Sequence, residues 1–315
     1  MDGADIDAAL VRSLLREQHP DLAELQLREV PGGWDNRMWR LGESLAVRLP
    51  LSPRGPFLLD IERRWLPIMA PGLPLPVPEP LRAGEPSAVF PSTWSIVRWV
   101  DGEPADLVPI SKPEAAKTLA GFLRAMHCKA PADAPTNPDR GVPLQTFRES
   151  LKALHEYALP PGATGSGRRG LDASVDATAS SAVAADVRIA WEQALAAPEW
   201  ADAPVWIHGD LHPANVTVAD GTLAGVIDFG EMCAGDPATD LAAAWLLLPA
   251  GTASQFFDAY EMADAATIAR ARGWAVRSAF GLIEVGKKWE RGLPGGKKTW
   301  GPAGRAILQR IFTDN

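Results

Sequence analysis

A chain of 315 residues with 46% hydrophobic and 22% charged residues has ordinary globular composition, with one large or two modest domains expected and enough apolar material for a sizeable core. A net charge of −8 and a sequence pI of about 5.2 argue against a nucleic-acid binder, which reads phosphates with a basic face. Two distant cysteines, Cys128 and Cys233, lack CxxC spacing and argue against a disulfide framework or a zinc site.

In chain order, the acidic residues 1–7 have neither the basic cluster nor the apolar stretch of a signal peptide, and a cytoplasmic protein is expected. Across residues 6–18 the apolar Ile6, Leu10 and Leu14 recur at helical spacing, and Pro20 closes the helix. The period then changes to two. Residues 25–30, 37–41 and 44–49 read as strands of an antiparallel meander, punctuated by Gly32-Gly33 and Gly42-Glu43. Residues 56–70 read as a helix carrying Glu62, after which the proline-rich residues 72–80 must be extended. Strands near 80–83 and 92–99 complete a sheet-and-helix unit, and the turn-rich residues 100–104 place a boundary near residue 100.

Beyond that boundary the pattern is mainly helical, with helices expected over 113–128, 144–157, 174–197, 236–247, 253–291 (with a possible break) and 299–312. The Gly- and Pro-rich residues 160–170 read as a flexible surface loop. The richest apolar window, 241–248, is far too short to span a bilayer, so no membrane partner is expected. Among the helices sits a strand–loop–strand–turn–strand unit over 205–228, and it carries the chemistry.

Residues 206–215 read Trp-Ile-His-Gly-Asp-Leu-His-Pro-Ala-Asn, which spaces His208, Asp210 and Asn215 as H-x-D-x-x-x-x-N after a short apolar strand. Residues 225–230 read Gly-Val-Ile-Asp-Phe-Gly and put Asp228 at the end of a second apolar strand. Phosphoryl transfer needs a carboxylate that receives or orients the acceptor hydroxyl proton, together with oxygen ligands for a Mg²⁺ ion bridging the nucleotide phosphates. Asp210 fits the first role; Asn215 and Asp228 fit the second. Either motif alone would pass for ordinary polar loop. Two of them, each ending a strand and together gathering carboxylates that want a cation to share, point to a kinase.

At these residues the chain resembles the aminoglycoside phosphotransferase family, relatives of the eukaryotic-like kinases. His-Gly-Asp-Leu-His-Pro-Ala-Asn followed by Ile-Asp-Phe-Gly looks like that family's catalytic and metal-binding loops, and the likeness continues through Gly235-Asp-Pro-Ala-Thr-Asp240. Glycine at 209, where protein kinases usually carry arginine, favours the small-molecule branch. The short run from Gly230 to Asp236 leaves no room for a long activation loop, which weighs against a protein kinase. The resemblance implies an α+β, two-lobed protein-kinase-like fold, with a small antiparallel sheet plus helix in an N-lobe (residues 1–100) and a mainly helical C-lobe (residues 101–315). It implies transfer of the γ-phosphoryl group of ATP or GTP to a small-molecule hydroxyl, with no obligate protein partner.

The N-terminal unit then has to hold the nucleotide. Gly32 and Gly33, in Pro-Gly-Gly-Trp-Asp-Asn between two strands, stand where the fold's phosphate-covering loop belongs, although the same residues would also make a plain hairpin. Kinases place a lysine on the third strand to bind phosphates and pair with a helix glutamate. Here the matching position is Arg48, with Glu62 as its expected partner. Residues 94–102 resemble the strand entering the interlobe hinge, where backbone groups of Arg98, Trp99 and Val100 would meet the purine.

Several residues invite less. His208 reads as a loop support, and His212 as either a loop brace or a substrate contact. Asp236 and Asp240 suit a helix cap and brace or an acceptor lining, with capping favoured for Asp236 ahead of Pro237. Trp245, Trp274, Trp289 and Trp300 could border an acceptor pocket, and Glu284 or Glu290 could meet an ammonium group. An aminoglycoside is the leading acceptor. A macrolide, an amino sugar, choline or homoserine are rivals, and a nucleotide-binding pseudokinase is the alternative of another class.

Overall fold

The structure, a computed structural model, describes residues 6–31, 33–149 and 173–313. Gly32, most of the helix expected over 144–157 and the loop expected over 160–170 lie outside the described residues.

Helix α1 (Ala8–Gln18) starts where Asp7 accepts the Leu10 N–H at 2.8 Å. Strands β1 (Leu27–Val30), β2 (Asn36–Leu41), β3 (Leu45–Pro50), β4 (Pro80–Gly84) and β5 (Trp94–Arg98) form one antiparallel sheet in the order β1-β2-β3-β5-β4. Alternation along the strands sorts the side chains. Trp39, Leu41, Val47, Leu49, Trp94 and Ile96 pack with Leu14 and Leu15 of α1. Arg48, between Val47 and Leu49, therefore points to the other face, which helix α2 (Gly55–Met69) covers with Glu62.

The five-stranded sheet ends at Arg98. Strand β6 (Glu103–Pro104) pairs with β8 (Val216–Ala219), which pairs with β9 (Thr222–Val226), so the chain enters the second half through a sheet. The β8–β9 turn has Asp220 and Gly221 at φ of 50° and 76°, the left-handed pair that suits a two-residue hairpin. Strand β7 (Val205–Ile207) lies in a different sheet, paired with β10 (Cys233–Gly235). Pairing creates β10, because Cys-Ala-Gly has no strand signal of its own.

Helix α3 (Ala115–Met126) and helix α4 (Ala173–Ala196) fall where expected. The helix expected over 236–247 is two short ones, α5 (Ala238–Leu241) and α6 (Ala243–Leu246). The one expected over 253–291 splits into α7 (Ala253–Tyr260) and α8 (Ala265–Glu290), because Glu261 turns left-handed at φ 65°. Helix α9 (Trp300–Thr313) then packs on α8 with Gly301 facing Gly286, where an added Cβ would come within 2.4 Å of backbone. Trp245 and Trp274 are fully buried in the core, which removes them as acceptor-pocket candidates, while Trp289 is exposed. Cys128 and Cys233 are both free, and no helix among the described residues is long and apolar enough to cross a membrane.

Asp264 restarts the chain as α8 by accepting the Thr267 N–H at 2.7 Å, and the bonds to Thr267 hold its carboxyl below the usual range. Asp264→Ala should lower the unfolding free energy by about 1 kcal/mol in urea titrations at neutral pH. Because its native pKa is depressed, the difference between wild type and variant should be complete above about pH 4 and fade as pH falls further.

Candidate active site

Strand β7 delivers the loop that begins at His208. The ring of His208 is buried, donating from Nε2 to the Ile227 carbonyl at 3.0 Å and accepting the Asp210 N–H at Nδ1 over 3.2 Å. It ties the two loops together. Gly209 sits at φ +81°, where an added Cβ would lie 2.8 Å from the Glu231 carbonyl, so the turn requires glycine. Asp240 of α5 neither lines an acceptor pocket nor caps its helix. It is fully buried and accepts the N–H groups of His208 at 2.6 Å and Gly209 at 2.9 Å. Behind it, His127 approaches Oδ2 at 3.3 Å and takes the Tyr260 hydroxyl at 2.8 Å. Asp236 accepts the Ala238 N–H at 2.9 Å and pairs with Arg270 at 2.7 Å, so it caps and braces as expected.

This frame aims Asp210 outward with its two oxygens in different company. Oδ1 accepts from Arg140 at 3.0 Å, and Oδ2 accepts from the Asn215 amide at 3.2 Å with His212 Nε2 at 3.5 Å. Burial alone would raise the Asp210 carboxyl, but His212, Arg140 and His208 outweigh it and hold the group well below the usual carboxylate range. Asp210 is therefore an acceptor at any physiological pH. His212 also takes the Ala214 N–H at 3.2 Å, so the loop-bracing reading holds for it.

Asn215 commits its amide nitrogen to Asp210, to the carbonyl as well at 2.9 Å, which leaves its amide oxygen as the end to offer a cation. The Ile227 N–H to Asn215 carbonyl bond of 2.9 Å ties this loop to the one carrying Asp228. Asp228 is held left-handed at φ 64°, an uncommon conformation for a non-glycine residue, with half its carboxylate exposed. One amide oxygen and one exposed carboxylate fit Mg²⁺, which takes one or two protein oxygens and fills its shell with phosphates and water. When bound, the ion would bridge and neutralise nucleotide phosphates.

Arg48 is buried, makes a close ion pair with Glu62 and reaches Asp228 at 3.7 Å. Burial opposes its charge, but Glu62, Asp228 and Asp35 together hold the guanidinium above its ordinary value. The expected pair exists, and it does more than expected by joining sheet, α2 and the Asp228 loop. Gly33 has no room for a side chain, since an added Cβ would fall 2.0 Å from the Asn36 carbonyl. Its neighbour Trp34 packs on Trp300 of α9 at 5.2 Å, and Trp300 packs edge-on to His212 at 4.8 Å. In the segment expected to form the hinge, the Arg98 and Trp99 N–H groups donate to Glu79 and Ser44 carbonyls at 2.9 and 2.8 Å, so these two donors are already committed within the protein. Val100 packs on Gly225 of β9, which brings the segment beside the Asp228 strand.

The sequence reading missed Arg140, Arg277 of α8 and the hold of Asp240 on the loop. Arg140 stands 70 residues from Asp210, in a polar turn with no periodicity, and only the fold brings the two together. Glu284, considered for an ammonium group, is paired with Lys287 at 3.0 Å.

A search of curated proteins finds no match. Among solved structures, the chain is similar to the GDP complex of aminoglycoside 2'-phosphotransferase-IIIa, with a TM-score of 0.65, 17% identity and coverage of 97% of this chain and 98% of that one. It is also similar to the macrolide 2'-phosphotransferase MphH from Brachybacterium faecium, with a TM-score of 0.58, 20% identity and coverage of 96% and 98%. A thermostable mutant of the aminoglycoside phosphotransferase APH(4)-Ia, in ternary complex with AMP-PNP and hygromycin B, gives a TM-score of 0.54 at 18% identity over 95% and 98%. Identities this low show the fold alone, which is the two-lobed kinase-like one. The model of the phosphotransferase enzyme family matches residues 26–274, and the chain belongs to that family of small-molecule kinases.

Proposed function

We propose that this enzyme moves the γ-phosphoryl group of ATP or GTP to a hydroxyl of a small molecule, using Asp210 to orient the hydroxyl and accept its proton. Residues 1–100 act as the nucleotide clamp, with Gly32, Gly33 and Arg48 toward the phosphates, Glu62 positioning Arg48, and the backbone of Arg98 to Val100 toward the base. Residues 101–315 supply the chemistry and the acceptor site, with Asn215 and Asp228 as ligands for Mg²⁺. The observation that carries the reading is the bond between Asp210 and Asn215, which fixes the base beside the cation ligand while Arg48 faces the second ligand, Asp228. Aminoglycoside-type antibiotics head the acceptors to try, because similar folds are named for them, and macrolides follow.

The test is nucleotide consumption by purified protein with Mg²⁺ and ATP or GTP against aminoglycosides, macrolides, choline, homoserine and amino sugars. Acceptor-dependent turnover that disappears in an Asp210 variant establishes the activity. Nucleotide binding without turnover on any acceptor shifts the weight to a pseudokinase.

A further inference from the structure

We propose that the acceptor carries an anionic group, a carboxylate or a phosphate, which Arg140 and Arg277 hold beside the hydroxyl to be phosphorylated. The inference rests on the kinase reading and sharpens its acceptor: names of similar folds alone put polycationic aminoglycosides first, and the charge beside the base favours the candidates that carry an anion.

Three observations lead there. The first is the sign of the charge around the base. Asp210 turns Oδ2 toward Asn215 and His212 on the cation side, and its other oxygen, Oδ1, accepts from Arg140 at 3.0 Å. A polycationic acceptor approaching that oxygen would have to displace or crowd a guanidinium.

The second is the mounting of Arg277. Its guanidinium carbon lies 3.9 Å from the centre of the Phe147 ring and 5.3 Å from that of Trp274, while its nearest carboxylate, the exposed Asp139, stands 4.0 Å away. Rings covering a guanidinium stiffen it and leave its in-plane N–H groups directed at whatever lies along its edge. That is the presentation that suits a flat carboxylate or a phosphate.

The third is the cost of the arrangement without an anion. Burial first, and then repulsion by Arg140, brings Arg277 down to about 10, although Asp139 and Asp210 pull the other way. Arg277 reaches the carboxylate of Asp139, the residue before Arg140, at 4.0 Å, so one more negative charge at that turn relieves both guanidiniums.

The experiment uses two probes on the full chain, inorganic phosphate and, in a separate arm, acetate. Each is titrated at constant ionic strength, with and without saturating Mg²⁺ and AMP-PNP, and followed by tryptophan fluorescence and calorimetry. At least one probe should bind saturably, at least tenfold more weakly in Arg277→Gln and in Arg140→Gln, with Arg277→Lys between because it keeps the charge and loses the fork. The tighter arm names the anionic group. Absence of saturable binding in both arms overturns the proposal, and so does binding that is indifferent to both positions. If Arg277→Gln fails to fold, Arg277→Lys and Arg140→Gln decide the same question. Loss of AMP-PNP binding in the wild type would count against the kinase reading, whereas the anion titrations without nucleotide still decide this one.

Discussion

Asp210→Ala should reduce kcat by about 10²–10⁴-fold, the range expected for a lost general base, while the nucleotide Kd stays within a few-fold. The separation follows from geometry. Asp210 touches Arg140, Asn215 and His212 but neither Arg48 nor Glu62, so the proposed phosphate contacts survive its removal. Asp210→Asn should be nearly as damaging, since it keeps the shape and loses the basic oxygen. The pH profile gives a second check. The native carboxyl is depressed, so it stays ionised as pH falls through the ordinary carboxylate range. Its contribution to stability is complete above about pH 4 and declines only as pH falls toward the native value. A kcat profile taken from pH 8 to pH 5 should therefore show no acid limb that disappears in Asp210→Asn. Near-normal turnover in Asp210→Ala would remove it from the role of base.

Asp240→Ala should be the most destabilising single change near the site, although Asp240 lies beneath the loop. The carboxylate is fully buried and satisfies the N–H groups of His208 and Gly209 together with His127. Its removal strands two buried backbone donors at about 1–3 kcal/mol each, so the urea unfolding free energy should fall by about 3–5 kcal/mol. The variant that still folds should lose kcat before KM. Those two N–H groups fix the turn that aims Asp210, and a misplacement of about 1 Å costs on the order of 10²-fold. Asp240→Asn should fall between, because it offers one acceptor oxygen and turns a competing N–H toward the same donors. A variant with wild-type stability and kcat would show that the loop holds itself.

The legible parts of the site are those whose signal is local. Asp210, Asn215 and Asp228 announce themselves because they lie at fixed spacing in two loops that each follow a short apolar strand. The Arg48–Glu62 pair follows from strand alternation meeting a helix of the right phase. Arg140, Arg277 and the span from Trp34 to Trp300 were illegible because they come from loops and helix faces joined only by tertiary packing. The same division governs the fold. The meander and the long helices were periodic and readable, whereas β10 exists because β7 is there to pair with. The expected helix over 253–291 broke where one residue, Glu261, adopted a left-handed turn that its side chain does not advertise.

The packing of Trp34 on Trp300, 5.2 Å apart and tilted by 38°, gives the contact between the glycine loop and the last helix an optical signal of its own. Two indoles this close couple their strong far-ultraviolet transitions and should give a paired band of opposite signs in far-ultraviolet circular dichroism. One chromophore rides on the glycine loop and the other on the last helix. Trp65 and Trp206, 5.0 Å apart in the core, couple in the same way, so the part of the signal lost in Trp34→Phe is the part that reports how the loop stands against the last helix. Binding of nucleotide and then of acceptor should change that part of the signal in two separable steps, so that the order of substrate binding can be read from the protein's own chromophores.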